Sequence, residues 1–276
     1  MDFFTISYNG DVIHVPDLPH HIPNAIRASG AFYEEDLLEH LRTCVRHGGT
    51  WVDVGANIGN HTIYFSRYTA DRVVSLEPHP ETFHVLTATL RKNGLANVCV
   101  KNVGASDHVG GATLALPAGF DNNPGSFRMT ESGDVSIRVE TLDLILADTP
   151  EIRLIKVDVE GHELAVIRGA GETIRRHRPD LVVEAHTDED RGAILNMLRP
   201  LGYRVIGRYA CSPTYHFAPW SAGRLLAFRA RLLAFRAAQK WRHVFSSPSV
   251  RGLTSHGRLT GAAVAAVGKP GHYRVR

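Results

Sequence analysis

The apolar run Trp51 to Val54, closed by Gly55 and followed by helical spacing over Ile58 to Tyr68, constrains the fold more than any other part of the chain. It predicts a buried strand, a tight turn and a helix. Gly55 and Gly59 lack a Cβ, so the backbone there can bend sharply and come close to a ligand, with the unpaired N–H groups of the helix aimed at it. The glycine spacing is G-x-x-x-G. A dinucleotide site wants G-x-G-x-x-G with the pyrophosphate on the helix N-terminus, and that pattern is absent.

Beyond residue 51, strand-like runs alternate with helical stretches. Trp51 to Val54, Arg72 to Glu77, Val98 to Val103, Arg153 to Asp158, Leu181 to Glu184 and Tyr203 to Ile206 are the strand candidates. Such alternation predicts an α/β fold with a doubly wound, mostly parallel sheet. Ahead of it, Phe3 to Tyr8 and Val12 to Val15 flank Asn9-Gly10, the dipeptide of tight hairpins, so a small β-element covering residues 1–31 is expected on the substrate side. Residues 108–140, with two Gly-rich turns and the alternating stretch Val135 to Val139, predict an extra hairpin and loop beside the site.

A chain of 276 residues, 43% apolar and 21% charged, can bury a sizeable core, which excludes disorder of the whole. Cys44, Cys99 and Cys211 are odd in number and lack C-x-x-C spacing, so neither a disulfide framework nor a zinc site is indicated. The N-terminus has no basic start followed by an apolar stretch, and no run approaches membrane-spanning length. A cytoplasmic protein is the expectation.

The ligand follows from the charges beside the turn. Asp53, near the C-terminal end of its strand, would repel a pyrophosphate but could organise the loop or attract an ammonium group. Glu77 lies 18 residues beyond Gly59, close to where an acidic side chain meets ribose hydroxyls in mononucleotide-binding halves. A ribose, an amino acid end and no pyrophosphate describe S-adenosylmethionine.

The chain resembles the class I S-adenosylmethionine-dependent methyltransferases, and among them the FkbM type. The resemblance runs from Phe32 to Phe217 through the lead-in G-A-F-Y-E-E-D-L-L, V-D-V-G-A-N-I-G-N-H-T, S-L-E-P-H-P, N-V-G-A-S-D, E-T-L-D-L-I-L, I-K-V-D-V-E-G-H-E and P-D-L-V-V-E-A-H. It implies a methyltransferase domain over 32–217. It also implies that Asp53, Gly55, Asn57 and Gly59 surround the methionine part of the cofactor, that Glu77 holds its ribose, and that Ala105, Ser106 and Asp107 lie near the adenine. Asn57 also reads as a simple turn former.

Methyl transfer from a sulfonium is an in-line displacement, so the enzyme must align an acceptor and share or remove its proton. In a doubly wound sheet ligands bind at the C-terminal edge of the strands, where Asp158, Glu160, His162 and Glu163 should fall. Glu184 and His186, two apart, point the same way if their strand stays extended. Asp158, Glu160, His162, Glu184 and His186 are therefore the catalytic candidates. Plain alternatives are a helix cap for Asp158, a first-turn acid for Glu163, a loop-holding role for Glu160 and an incidental histidine at 162. Asp158, Glu160, Glu184 and His186 also carry the ligand types of an oxygen-rich Mg²⁺ site, a divalent metal being compatible rather than required.

FkbM-type resemblance implies O-methylation of a hydroxyl on a small-molecule or glycan acceptor. The rival readings are a nucleotide-sugar or NAD-dependent enzyme on a similar sheet, which the missing G-x-G-x-x-G opposes, and a non-catalytic module tethered by a basic tail. Residues 1–190 hold all 28 acidic residues against 16 Lys and Arg, whereas 191–276 hold 15 Lys and Arg and no acid. Within 218–245 the heptad R-L-L-A-F-R-A occurs twice, at 224–230 and 231–237, a basic amphipathic helix pattern. Over 224–245 it suits packing on the acidic domain, self-association, or a peripheral membrane surface. Few aromatics are interleaved, so nucleic acid is not favoured as a partner. Residues 246–276 read as a partly disordered tail.

Overall fold

A computed structural model describes residues 1–116, 127–130, 133–209 and 213–220. The expectations for 224–245 and 246–276 lie outside these residues, as does Cys211. A hairpin of β1 (Phe3–Tyr8) and β2 (Asp11–Pro16) opens the chain. Asn9 and Gly10 turn it with φ of 51° and 89°, the positive pair that a two-residue hairpin loop demands. Helices α1 (His21–Ser29) and α2 (Glu35–Cys44) then lead into the main sheet.

The alternation read from the sequence is present as β3 (Thr50–Val54), α3 (Asn60–Tyr68), β4 (Arg72–Leu76), α4 (Pro80–Lys92) and β5 (Val98–Lys101). A second sheet intervenes, built from β6 (Gly104–Ser106), β7 (Gly110–Ala115), β8 (Arg128–Thr130) and β9 (Val135–Thr141) in the order β6-β9-β7-β8. The chain returns through α5 (Leu142–Ile145), β10 (Ile152–Val157), α6 (Glu163–Arg168), α7 (Gly171–His177), β11 (Asp180–Glu184), α8 (Asp188–Leu198), β12 (Tyr203–Tyr209) and β13 (Thr214–Pro219). The seven-stranded sheet has the order β12-β13-β11-β10-β3-β4-β5. Its strands β11, β10, β3, β4 and β5 pair in parallel, and β13 pairs antiparallel with both β11 and β12.

Both faces of this sheet are covered, which is why its strands are near-continuous apolar runs. Val52, Val54, Ile155, Val157, Leu181 and Val183 face one core with α5 to α8. Trp51, Val73, Leu154 and Val182 face the other, with the hairpin, α1, α2 and α3. Strand order reverses between β3 and β10, since β4 and β5 extend to one side and β11 to the other. The crevice at the C-terminal ends of β3 and β10 is the expected ligand position in a sheet of this kind.

Candidate active site

A cavity of about 230 Å³ opens at that crevice. Its wall joins the turn Gly55 to Asn57 after β3, Glu77 after β4, Asp158 and Glu160 after β10, and Glu184 at the end of β11. The two acidic, glycine-bearing strings of the sequence thus face one cavity. Leu114, Phe127 and Met129 from the second sheet and its approach, and His21 and Ile22 from the start of α1, complete the wall. The 108–140 insertion thus contributes residues to this wall, and within 1–31 it is the start of α1, not the hairpin, that does so.

The turn needs Gly55. Its φ is 78°, and a Cβ there would stand 1.9 Å from the Asp158 carbonyl oxygen, so the loop after β10 can cross the turn only over a bare backbone. Asn57 (φ 50°) donates its backbone N–H to Glu77 Oε2 at 2.9 Å, and His79 donates its own to Oε1 at 3.0 Å. Glu77 is buried, and burial pushes its carboxyl up to about 7 against the pull of those two N–H groups. Gly59 precedes α3 with φ 95° and packs its bare face on Leu86 and Leu90.

Asp53 is placed differently from expectation. Its side chain is fully buried behind the cavity wall, where Oδ1 pairs with Lys156 Nζ at 3.2 Å and Oδ2 accepts from Thr62 Oγ1 at 2.6 Å. Asp53 and Lys156 are register partners on adjacent parallel strands, so their side chains share one face. Lys156 also donates to the Gly55 carbonyl at 2.9 Å and reaches Asp158 Oδ2 at 3.4 Å. Burial alone would lower the Lys156 ammonium, but Asp53 and Asp158 outweigh it and hold the group charged. Burial would raise Asp158, and Lys156 instead keeps it below the usual carboxylate range. Asp158 therefore does not cap α6, whose N-cap residue is His162.

The loop between β10 and α6 is held by Glu163 rather than Glu160. Glu163 Oε1 accepts from the N–H groups of Val159 at 3.2 Å and Gly161 at 3.0 Å. Glu160 is left facing the cavity with φ 54°, and burial together with Asp158 raises its carboxyl. His186 Nε2 lies 3.4 Å from Glu184 Oε2 and 3.9 Å from Glu160 Oε2. Ligand atoms of Glu160, Glu184 and His186 all fall within 4.8 Å of one another, while Asp158 of the four metal candidates turns to Lys156.

Beyond Asp53, the candidates Gly59, Ser106, Asp107, His162 and His186 are also outside the cavity lining. Of residues 105–107 only Ala105 lines the cavity. Ser106 is fully buried with Oγ 3.0 Å from His162 Nε2 and 3.3 Å from His108 Nδ1. Asp107 is held down to about 2 by His108 and by Arg168, whose Nε donates to it at 2.8 Å. The family resemblance implied Ser106 and Asp107 near the adenine, and sheet topology put His162 on the acceptor side; the structure joins them into one polar contact that ties β6 to the N-terminus of α6, off the cavity wall.

Sequence reading missed Lys156, Glu34 and His61. Glu34 and His61 line the cavity with buried side chains, His61 Nε2 standing 3.3 Å from Glu34 Oε2. A signal for Lys156 existed, because W-V-D-V-G and L-I-K-V-D carry opposite charges at matching strand positions. Nothing in spacing relates residue 34 to residue 61.

A mostly parallel α/β sheet with a glycine turn, a buried acid after the second strand and a cavity at the switch point defines the Rossmann-like class of nucleotide-handling folds. Within it, the sequence profile of the methyltransferase FkbM domain matches residues 53–205, and the chain belongs to that methyltransferase family. Hexuronic acid methyltransferase AglP of Haloferax volcanii is 28% identical over 167 residues, covering 60% of this chain and 67% of that protein. Methyltransferase 1 of Beauveria bassiana is 28% identical over 141 residues, 43% of this chain and 57% of that protein, so the chain spans little more than half of its length. The crystal structure of a methyltransferase FkbM from Methylobacillus flagellatus KT is 24% identical with a TM-score of 0.48, covering 63% of this chain and 44% of that one. No helix among the described residues is long and apolar enough to cross a membrane.

Proposed function

We propose that this chain is an S-adenosylmethionine-dependent methyltransferase acting on a hydroxyl of a glycan or secondary metabolite. The observation that carries the reading is the single cavity shared by Glu77 and by Asp158, Glu160 and Glu184. The donor set fits this cofactor. Glu77 offers carboxylate oxygens at a strand end for ribose hydroxyls, the turn Gly55 to Asn57 sets its backbone on the cavity wall, and an excess of carboxylates over the one committed lysine suits a sulfonium cation. When bound, the cofactor supplies the electrophilic methyl group.

The chain's own residues do the remainder. Lys156 holds Asp158 ionised and fixes the turn through the Gly55 carbonyl. Glu160 faces the cavity with His186 and Glu184 beside it, and burial together with Asp158 raises its carboxyl, so it is the group placed to take up a hydroxyl proton. Leu114, Phe127 and Met129 give the cavity an apolar wall on that side. The hexuronic acid named for the Haloferax volcanii relative makes uronic sugars the first acceptor class to try.

Isothermal titration with S-adenosylmethionine, S-adenosylhomocysteine and NAD tests the cofactor class without an acceptor in hand. Binding of both adenosyl ligands, and its loss in Glu77→Ala with the fold intact, is expected. Preference for NAD would overturn the reading. Transfer of a labelled methyl group from S-adenosylmethionine to neutral and uronic sugars then tests the acceptor.

A further inference from the structure

The structure sets Asp53 apart from the amino acid end of the ligand, because its side chain does not line the cavity, Thr62 donates to its Oδ2, and Lys156 stands 3.2 Å from its Oδ1 as an ion pair without a hydrogen bond. That end is a zwitterion and needs a hydrogen-bond acceptor for its ammonium beside a donor for its carboxylate. Glu34 and His61 supply this pair on the same cavity. Their side chains are 7% and 8% exposed, and His61 Nε2 is buried with no hydrogen bond although Glu34 Oε2 is 3.3 Å away. A buried imidazole nitrogen left without a hydrogen bond, facing a cavity, is poised for a ligand atom.

The pair is held in place from both sides. Asn60 clamps the neighbouring residue, accepting from Tyr33 N at 3.1 Å and donating to Tyr33 O at 2.9 Å, so the segment before α2 is pinned to the first turn of α3. Glu34 follows directly in the left-handed region, φ 57°. Three of the positive-φ non-glycine residues, Glu34, Asn57 and Glu160, line this one cavity, as expected where backbone geometry serves a site.

We propose that Glu34 and His61 bind the α-amino acid end of the nucleoside ligand, Glu34 accepting from the ammonium and His61 donating to the carboxylate. This assignment rests on the adenosyl reading above. The test uses isothermal titration with two named probes, S-adenosylhomocysteine and 5′-methylthioadenosine, which has the nucleoside and thioether without the amino acid. Glu34→Gln and His61→Gln should each weaken S-adenosylhomocysteine by about tenfold or more and leave 5′-methylthioadenosine within about twofold. Glu34→Asp and His61→Asn serve as second variants should either fail to fold by circular dichroism. Unchanged S-adenosylhomocysteine affinity, or equal losses on both probes, overturns the assignment while the adenosyl reading stands. Failure of the unaltered protein to bind S-adenosylhomocysteine overturns both.

Discussion

Replacing Lys156 by methionine tests whether the buried charge pair frames the site. Asp53 is fully buried, with Lys156 Nζ 3.2 Å from Oδ1 and the Thr62 hydroxyl 2.6 Å from Oδ2. Removing one member of a buried pair costs roughly 3–5 kcal/mol, because the other charge stays behind uncompensated. Thr62 continues to satisfy one oxygen, itself linked to Ser75 Oγ at 2.8 Å, which places the expected loss near the lower bound, about 3 kcal/mol. For a folded unit of this size that corresponds to a fall in Tm of roughly 6–12 °C. Differential scanning calorimetry and urea denaturation at pH 7.5 read it. Adding Asp53→Asn removes the stranded charge while keeping an acceptor for Thr62, so the double variant should recover at least half of the loss. A single-variant fall below about 2 °C, or a double variant no better than the single, refutes the reasoning.

Gly55→Ala should lower stability by several kcal/mol, on the order of 3, and abolish nucleoside binding, because the new methyl meets the Asp158 carbonyl at 1.9 Å in a backbone with φ 78°; thermal melts and titration check both. Glu77, raised to about 7 from 4.5 by burial, binds its proton more tightly folded than unfolded, so its stabilising contribution is present below pH 4.5 and lost as pH rises through about 7. Glu77→Gln should therefore gain about 3 kcal/mol relative to the unaltered protein between pH 4.5 and pH 8, measured by urea denaturation at both. His40, buried between His216 and the Tyr209 ring, is held well below 6.5 by burial and then by His216. The unfolded chain takes up that proton first, so stability should fall as pH drops below 6.5, and His40→Gln should shrink the difference between melts at pH 7 and pH 5.

What the sequence made legible is what lies along single strands. Trp51 to Val54 with Gly55, and Arg72 to Glu77, encode position by apolar run and terminator, so the sheet, the turn and Glu77 were all within reach. Strand β13 was missed because Thr214, His216 and the flanking prolines carry no apolar run. It is nonetheless buried throughout, since His216 finds Asp180 at 2.9 Å and His40 at 3.0 Å. The Asp53–Lys156 pair depends on cross-strand register, the Ser106–His162 contact spans 56 positions, and the Glu34–His61 pair depends on how α2 meets α3. Such pairings are properties of packing, which local pattern does not record.

The most direct measurement is a crystal structure of the S-adenosylhomocysteine complex. Density in the cavity between Glu77 and the Asp158 to Glu160 loop, with both ribose hydroxyls on the Glu77 carboxylate, is the predicted result. A nucleoside bound elsewhere, or one whose ribose makes no contact with Glu77, would contradict it.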